Sequence, residues 1–263
     1  MKDGEVGEQG GQGELLPCLF CSSTSPSPMK PYQIVPIIEC GEPLIAIPLD
    51  LFAVVHPHPY EALGAPYGER SPYYLRQDVL ERLIKAQEKL QQHYPGWRMQ
   101  IFDAFRPVAV QHFMVEYTFN QQLSAMGRSL QTLTEAQQQE IWRQVYQFWA
   151  APSSDPKRPP PHSTGAAVDV SLVDDTGTPL NMGSPIDELS DRSFPTHFGN
   201  SSDPREQQYD CNRQLLNRIM QASEFCRHPN EWWHFSQGDQ MWAWLSNQQT
   251  GRTDFMAHYG GID

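Results

Sequence analysis

The chain has 263 residues, with 31 Asp and Glu against 19 Lys and Arg, a formal net charge of −12. That length suits one large domain or two small ones, and 39% apolar residues with seven Trp are too much core-forming material for a disordered chain. The acidic balance speaks against nucleic acid or an anionic membrane surface as a partner, and no apolar run reaches the roughly 18 residues a membrane-spanning helix needs.

Residues 1 to about 30 are rich in Gly, Glu, Gln, Ser and Pro and read as a flexible tail, which leaves 31–263 as a single domain. The start has no basic stretch followed by an apolar one, so no export signal is expected. The five cysteines, Cys18, Cys21, Cys40, Cys211 and Cys226, are an odd number in a long chain and do not resemble a disulfide framework. Cys18 and Cys21 form a C-x-x-C with no second pair to complete a metal site. Together these features predict a cytoplasmic protein.

Ile34–Ile38 and Leu44–Ile47 are short β-branched runs and predict strands. His56 to about Pro72 is a loop rich in Gly, Pro and Tyr. Tyr74–Tyr94 carries Val79, Leu80, Leu83, Ile84 and Leu90 at helical spacing and stops at Pro95-Gly96, which predicts a helix. Trp97–Phe102 alternates as a strand, and Val108–Gln122 reads as a helix. Thr134–Trp149 is a further helix, with Thr134 as N-cap and Gln137 three residues on. The proline-rich stretch 151–161 forms no regular element. Ala166–Val173 predicts a strand, 176–191 turns, Arg213–Phe225 an amphipathic helix, and Met241–Leu245 a short one. Short strands interspersed with helices predict an α+β fold with a mostly antiparallel central sheet, flanking helices and a site in a cleft.

Two segments concentrate chemistry. In HSTGAAVDV, His162 precedes Asp169 by seven positions, and Gly165 allows a sharp turn between them. An imidazole and a carboxylate that converge after a turn make two legs of a mixed nitrogen–oxygen metal site. Ala166 and Ala167 keep the bulk there small. In EWWHF, Glu231 lies three residues before His234, where an acid beside a metal-ligating imidazole can pass protons. Trp232, Trp233 and Phe235 are expected to wall this site and lower its dielectric. Each segment alone also fits a bland reading: a loop-capping His with an ordinary strand acid, and a half-buried aromatic strand. Arg106, in FDAFRP, is always charged and acts electrostatically, either on a substrate carbonyl or in a salt bridge to Asp103.

The blocks FDAFRP, HSTGAAVD, MGSPIDELSDRS and EWWHF, in this order, resemble the zinc D-alanyl-D-alanine dipeptidases of the vancomycin-resistance type; PYYLRQDVLERLIKAQ also looks like that family's N-terminal helix. The resemblance covers roughly residues 32 to 236. It implies hydrolysis of the dipeptide D-Ala-D-Ala in cell-wall precursor turnover. It implies one Zn2+ per chain held by His162, Asp169 and His234, with Glu231 as general acid and base and Arg106 polarising the carbonyl. It makes Asp187 the candidate for the substrate ammonium and adds Ser163 as a substrate contact. One departure is Pro160, which stands where the family's signature has a Ser beside the bound dipeptide; it offers neither a hydroxyl nor an N–H. Three rivals stay open: a zinc peptidase that trims longer wall peptides, a non-catalytic zinc-bearing peptide binder, and a structural zinc closed by His197 or His228.

Overall fold

The computed structural model describes residues 29–262. The expected tail, through residue 28, and the Cys18/Cys21 pair lie outside the described residues. The chain runs through β1 (Leu44–Ala46), β2 (Ala53–Val54), α1 (Pro59–Ala62), β3 (Tyr74–Arg76), α2 (Gln77–His93), β4 (Arg98–Asp103), α3 (Val108–Ala125), α4 (Glu135–Phe148), β5 (Ala167–Val173), α5 (Pro204–Gln221), β6 (Cys226–Arg227), β7 (His234–Ser236) and α6 (Gln240–Thr250). This is the expected α+β fold. The central sheet has the order β2-β4-β5-β7-β6. Its β2–β4 pair is parallel and the rest are antiparallel, so the sheet is mixed, with antiparallel pairing dominant.

β5 is buried along its whole length because helices and loops cover both faces of the sheet. Val168, Val170 and Leu172 enter a core shared with Leu83 and Leu90 of α2 and Leu216 and Met220 of α5. Side chains alternate along a strand, so Asp169 and Ser171 face the other way. A second core, with Val110, Met114 and Phe119 of α3 and Ile141 and Val145 of α4, receives Phe102 from β4. A third joins Tyr32 to Met241 and Leu245 of α6.

Several expected boundaries move. Tyr74–Arg76 pairs antiparallel with Leu44–Ala46, so α2 starts at Gln77; the backbone of this first stretch is claimed by a strand partner that helical spacing does not reveal. The expected strand Ile34–Ile38 does not form: Ile34 closes a 3-10 turn that starts at Pro31, and Ile37 makes an isolated bridge to Ala257. α5 begins nine residues earlier than Arg213, at Pro204, where Asp203 caps it by accepting the Arg205 N–H at 2.8 Å. Its first turns are polar and carry no apolar rhythm. The capping box of Thr134 and Gln137 is present as expected.

Gly165 ends the 3-10 turn Pro161–Thr164 with φ +71°, and a Cβ there would stand 2.4 Å from the Leu44 Cδ2. The Arg76 backbone N–H donates to the Gly165 carbonyl at 2.8 Å, and its Nε donates to the Thr164 carbonyl at 2.9 Å, so β3 clamps this turn. Gly165→Ala therefore meets both a disfavoured dihedral and an overlap. We expect a loss of about 1–3 kcal/mol in unfolding free energy, read from the denaturant midpoint.

Candidate metal centre

Register places the site. Asp103 of β4 pairs with Asp169 of β5, after a bulge beyond Ile101, and Asp169 pairs with His234 of β7. Three neighbouring strands thus carry three polar side chains abreast at one end of the sheet, and a bulge is a common way to aim a side chain into a site. The 3-10 turn that leads into β5 adds His162. His162, Asp169 and His234 each offer one ligand atom, and these lie within 4.8 Å of one another, all buried.

The hydrogen-bond network assigns the imidazole tautomers. The His162 Nδ1 is 2.7 Å from the Ala104 carbonyl, which can only accept, so Nδ1 carries the proton and Nε2 presents a bare lone pair. Ser236 donates its hydroxyl to Asp239 Oδ2 at 2.9 Å; the His234 Nε2, 3.2 Å from that hydroxyl oxygen, is therefore a donor, and its Nδ1 is bare. The two bare nitrogens stand 3.1 Å apart. Asp169 oxygens lie 3.3 Å from His162 Nε2 and 3.1 Å from His234 Nδ1. Lone pairs from two imidazoles and a carboxylate so arranged repel one another unless a cation lies among them. Two nitrogens, each oriented by a hydrogen bond at the other ring position, and one carboxylate oxygen are a donor set that fits zinc.

The cavity beside these ligands is lined by Lys30, Arg106, Gln111, Trp149, Asp187, His228, Glu231 and Trp233, among others. Glu231 Oε2 lies 3.9 Å from His234 Nδ1. Its burial, and then the charges of Asp169 and Asp187, push its pKa well above the ordinary carboxylate range. Asp187 adopts φ +65°, a left-handed conformation that few side chains other than Asn and Asp tolerate. Its Oδ2 accepts the Tyr60 hydroxyl at 2.8 Å, and burial with the nearby Asp169 charge pushes its pKa up to about 7.

Arg106 is buried and held on all sides. Its Nε and Nη2 donate to Asp103 Oδ2 at 3.0 and 2.8 Å, Nη1 donates to Gln111 Oε1 at 2.8 Å, and Nη2 donates to the Tyr60 hydroxyl at 3.2 Å. Its guanidinium carbon sits 4.9 Å from the Tyr60 ring centre and 5.0 Å from that of Trp149. The salt bridge to Asp103 is thus present. Nη2 also lies 3.5 Å from Asp169 Oδ2, and among the described residues one N–H on Nη1 has no hydrogen-bond acceptor.

A sequence profile of the family described as D-ala-D-ala dipeptidase matches residues 54–252. The chain belongs to this family. It is 49% identical over 243 residues to a D-alanyl-D-alanine dipeptidase of Synechocystis, covering 90% of this chain and 98% of that protein. Proteins of the same description from Escherichia coli and Enterococcus faecalis match over shorter stretches, at 43% and 36% identity, each covering 28% of this chain and 36% and 35% of theirs. A solved LD-carboxypeptidase structure covers 82% of this chain and 76% of its own at 14% identity, with a TM-score of 0.41, too loose an overlap to bear on substrate.

Ser163 does not line the cavity: it is fully buried, and its hydroxyl donates to the Arg106 carbonyl at 2.7 Å, so it fixes the backbone that presents Arg106. Trp233 lines the cavity, but Trp232 points away and donates to Ser184 at 2.9 Å, while Phe235 enters the core. Ala166 is likewise a core residue. His197 is exposed and lies outside the ligand group. His228 lines the cavity 3.5 Å from Glu231 Oε1, but its Nδ1 accepts the Asn230 N–H at 3.1 Å, so that lone pair is not available to a metal. Burial and then the His234 ring hold its pKa well below the ordinary value. Pro160 is absent from the lining and caps the turn with its carbonyl, which accepts the Ser163 N–H at 3.0 Å.

Sequence reasoning missed the supports. Tyr60, Gln111, Ser236 and Asp239 have no motif of their own, and Asp103 was visible only as a possible partner of Arg106. Lys30 fell in the presumed tail by composition, yet it lines the cavity.

His234→Ala should lower zinc affinity by about two orders of magnitude or more, and Ser236→Ala by about 10- to 100-fold, because it frees the ring that Ser236 orients. Zinc content after dialysis against a graded chelator reads both. Full zinc retention in His234→Ala would remove that residue from the ligand set.

Proposed function

We propose that the chain is a zinc-dependent dipeptidase that hydrolyses D-Ala-D-Ala in cell-wall precursor turnover, with residues 31–263 as its catalytic domain. The observation that carries this is the convergence of His162, Asp169, His234, Glu231, Arg106 and Asp187 on one cavity. The 49% identity to a dipeptidase along nearly its whole length supports the substrate class. The free thiols of Cys40, Cys211 and Cys226 suit a cytoplasmic setting, where wall precursors are made, and among the described residues no helix is long and apolar enough to cross a membrane.

His162, Asp169 and His234 would hold the zinc. When bound, it supplies Lewis acidity and makes hydroxide accessible near neutral pH. Glu231 takes a proton from the attacking water, and its raised pKa suits a group that must both accept and return a proton. The Arg106 Nη1–H left over from its protein contacts donates to the scissile carbonyl oxygen as negative charge builds there. Asp103, Gln111 and Tyr60 fix the guanidinium, so little reorganisation accompanies that charge. Asp187, oriented by Tyr60, binds the substrate ammonium. Glu231 then delivers its proton to the leaving amine nitrogen, and the products are two molecules of D-alanine.

Placement of Asp187 inside the cavity favours this reading over a peptidase for longer wall peptides, where an amide stands in place of the ammonium. The unligated acid Glu231 favours it over a binding protein, which has no use for such a group.

Glu231→Gln keeps the shape and removes the base; kcat on D-Ala-D-Ala should fall by about 10²- to 10⁴-fold with zinc content unchanged. Turnover near the wild-type rate would end the assignment. The pH profile provides a separate check. Asp187 must be ionised to bind an ammonium, and its pKa is pushed up to about 7. Protonation below that value removes the charge, so kcat/KM should drop about tenfold per pH unit on the acid side. Asp187→Asn should raise KM and abolish this dependence of KM on pH.

A further inference from the structure

Among the described residues, Arg106 and Lys30 are the Arg and Lys side chains that line the cavity. Arg106 is committed to Asp103, Gln111 and Tyr60. Lys30 comes from the N-terminal segment, ahead of the stretch matched by the family profile. Its backbone is fixed: its N–H donates to Gln33 Oε1 at 2.8 Å and its carbonyl accepts the Gln33 N–H at 3.0 Å. Tyr32 next to it packs against Met241 and Leu245, and Gln240 Nε2 donates to the Val35 carbonyl at 2.7 Å. One of the three ammonium N–H bonds reaches the Tyr146 carbonyl at the end of α4. The next carbonyl along, that of Gln147, accepts from Asn230 Nδ2 at 3.3 Å, and Asn230 is the neighbour of Glu231.

These contacts put Lys30 on the Glu231–His228 side of the cavity. Asp187 lies against Tyr60, which in turn meets Arg106, and Glu231 lines the same cavity. A dipeptide at neutral pH is a zwitterion whose two ends need opposite partners. Glu231 protonates the nitrogen of the leaving residue, and in an α-amino acid the carboxylate is only two bonds from that nitrogen. The carboxylate must therefore lie near Glu231, in a cavity whose nearby Pro161 and Trp149 surfaces carry no charge.

We propose that Lys30 binds the C-terminal carboxylate of the substrate, and that Lys30 and Asp187, gripping opposite ends, set the length at two residues. The inference rests on the dipeptidase reading. A charge-assisted hydrogen bond in a partly dry site discriminates strongly against a neutral end. The ammonium also reaches the site already ordered, because Gln33, Gln240 and the α6 core hold its backbone.

The test compares D-Ala-D-Ala with its C-terminal amide, D-Ala-D-Ala-NH2, on zinc-loaded full-length protein. The wild type should prefer the acid by about 10- to 100-fold in kcat/KM, mostly through KM. In Lys30→Met that preference should fall toward one, and in Lys30→Arg it should persist. A wild type that cleaves acid and amide equally overturns the proposal without any variant. A Lys30→Met enzyme that keeps the full preference, or loses acid and amide turnover in equal proportion, overturns it too, and marks Lys30 as a strut for the Tyr146 carbonyl. Acid turnover by the wild type is the control: its absence overturns the dipeptidase reading and this proposal together, whereas turnover with an unaltered preference overturns the role of Lys30 alone.

Discussion

The cross-strand register of β4, β5 and β7 is the constraint from which the site follows. Because Asp103 faces Asp169 and Asp169 faces His234, three polar groups stand abreast at one sheet end, each fixed by ladder hydrogen bonds. A slip of one residue would turn these side chains to the opposite face of the sheet. The core enforces the register: Val168, Val170 and Leu172 occupy the alternate positions of β5, and a slip would expose them to the polar side as it buried Asp169 and Ser171 among Leu and Met side chains.

Burying so many acids needs compensation, and the molecule supplies it in pairs. Asp103 accepts from Arg106 and from the Tyr67 hydroxyl at 3.1 Å, and lies 3.2 Å from His58 Nε2. Asp239 accepts from Ser236 and from the α6 N-terminus at Trp242. Asp169 has Arg106 Nη2 at 3.5 Å and Asp187 has the Tyr60 hydroxyl; for Asp187 and Glu231 burial first, and then the nearby carboxylate charges, raise the pKa. A dication among His162, Asp169 and His234 would offset part of the charge of these carboxylates. The site thus separates into groups satisfied by protein, which hold position, and groups left for metal and substrate, which react.

The segments named from the sequence fared unevenly for physical reasons. His162, Asp169 and His234 were singled out because a turn-forming Gly between His and Asp, and an acid three residues before a His, are local patterns with chemical meaning; either segment alone also fitted a bland reading, and the family resemblance joined them. Arg106 was legible, with both its alternatives: the salt bridge to Asp103 exists, and one N–H remains beyond it. Ser163 was misplaced, since its position next to His162 in sequence says nothing of its rotamer, and its hydroxyl goes to the Arg106 carbonyl. The strand at Tyr74–Arg76 was hidden by the apolar rhythm of the helix that follows, and the first turns of α5 were hidden by their polarity. Lys30 was invisible because composition describes a segment's average, not which of its residues packs.

The sequence by itself determined the α+β class, most helices and the family to which the chain belongs, and through that resemblance it named His162, Asp169 and His234 as candidate ligands. These follow from short-range regularities, periodicity and caps for the helices and the motif blocks for the family. Only the tertiary structure decided which lone pairs are bare, which acids are compensated, and which residues from distant segments close the cavity. Tyr60, Asp103, Gln111, Tyr146 and Lys30 come from five separate stretches of chain, and their proximity depends on how the sheet, α3, α4 and the N-terminal turn pack together. Spacing along the chain holds no record of that packing, because non-local contacts are set by burial and register rather than by any local pattern.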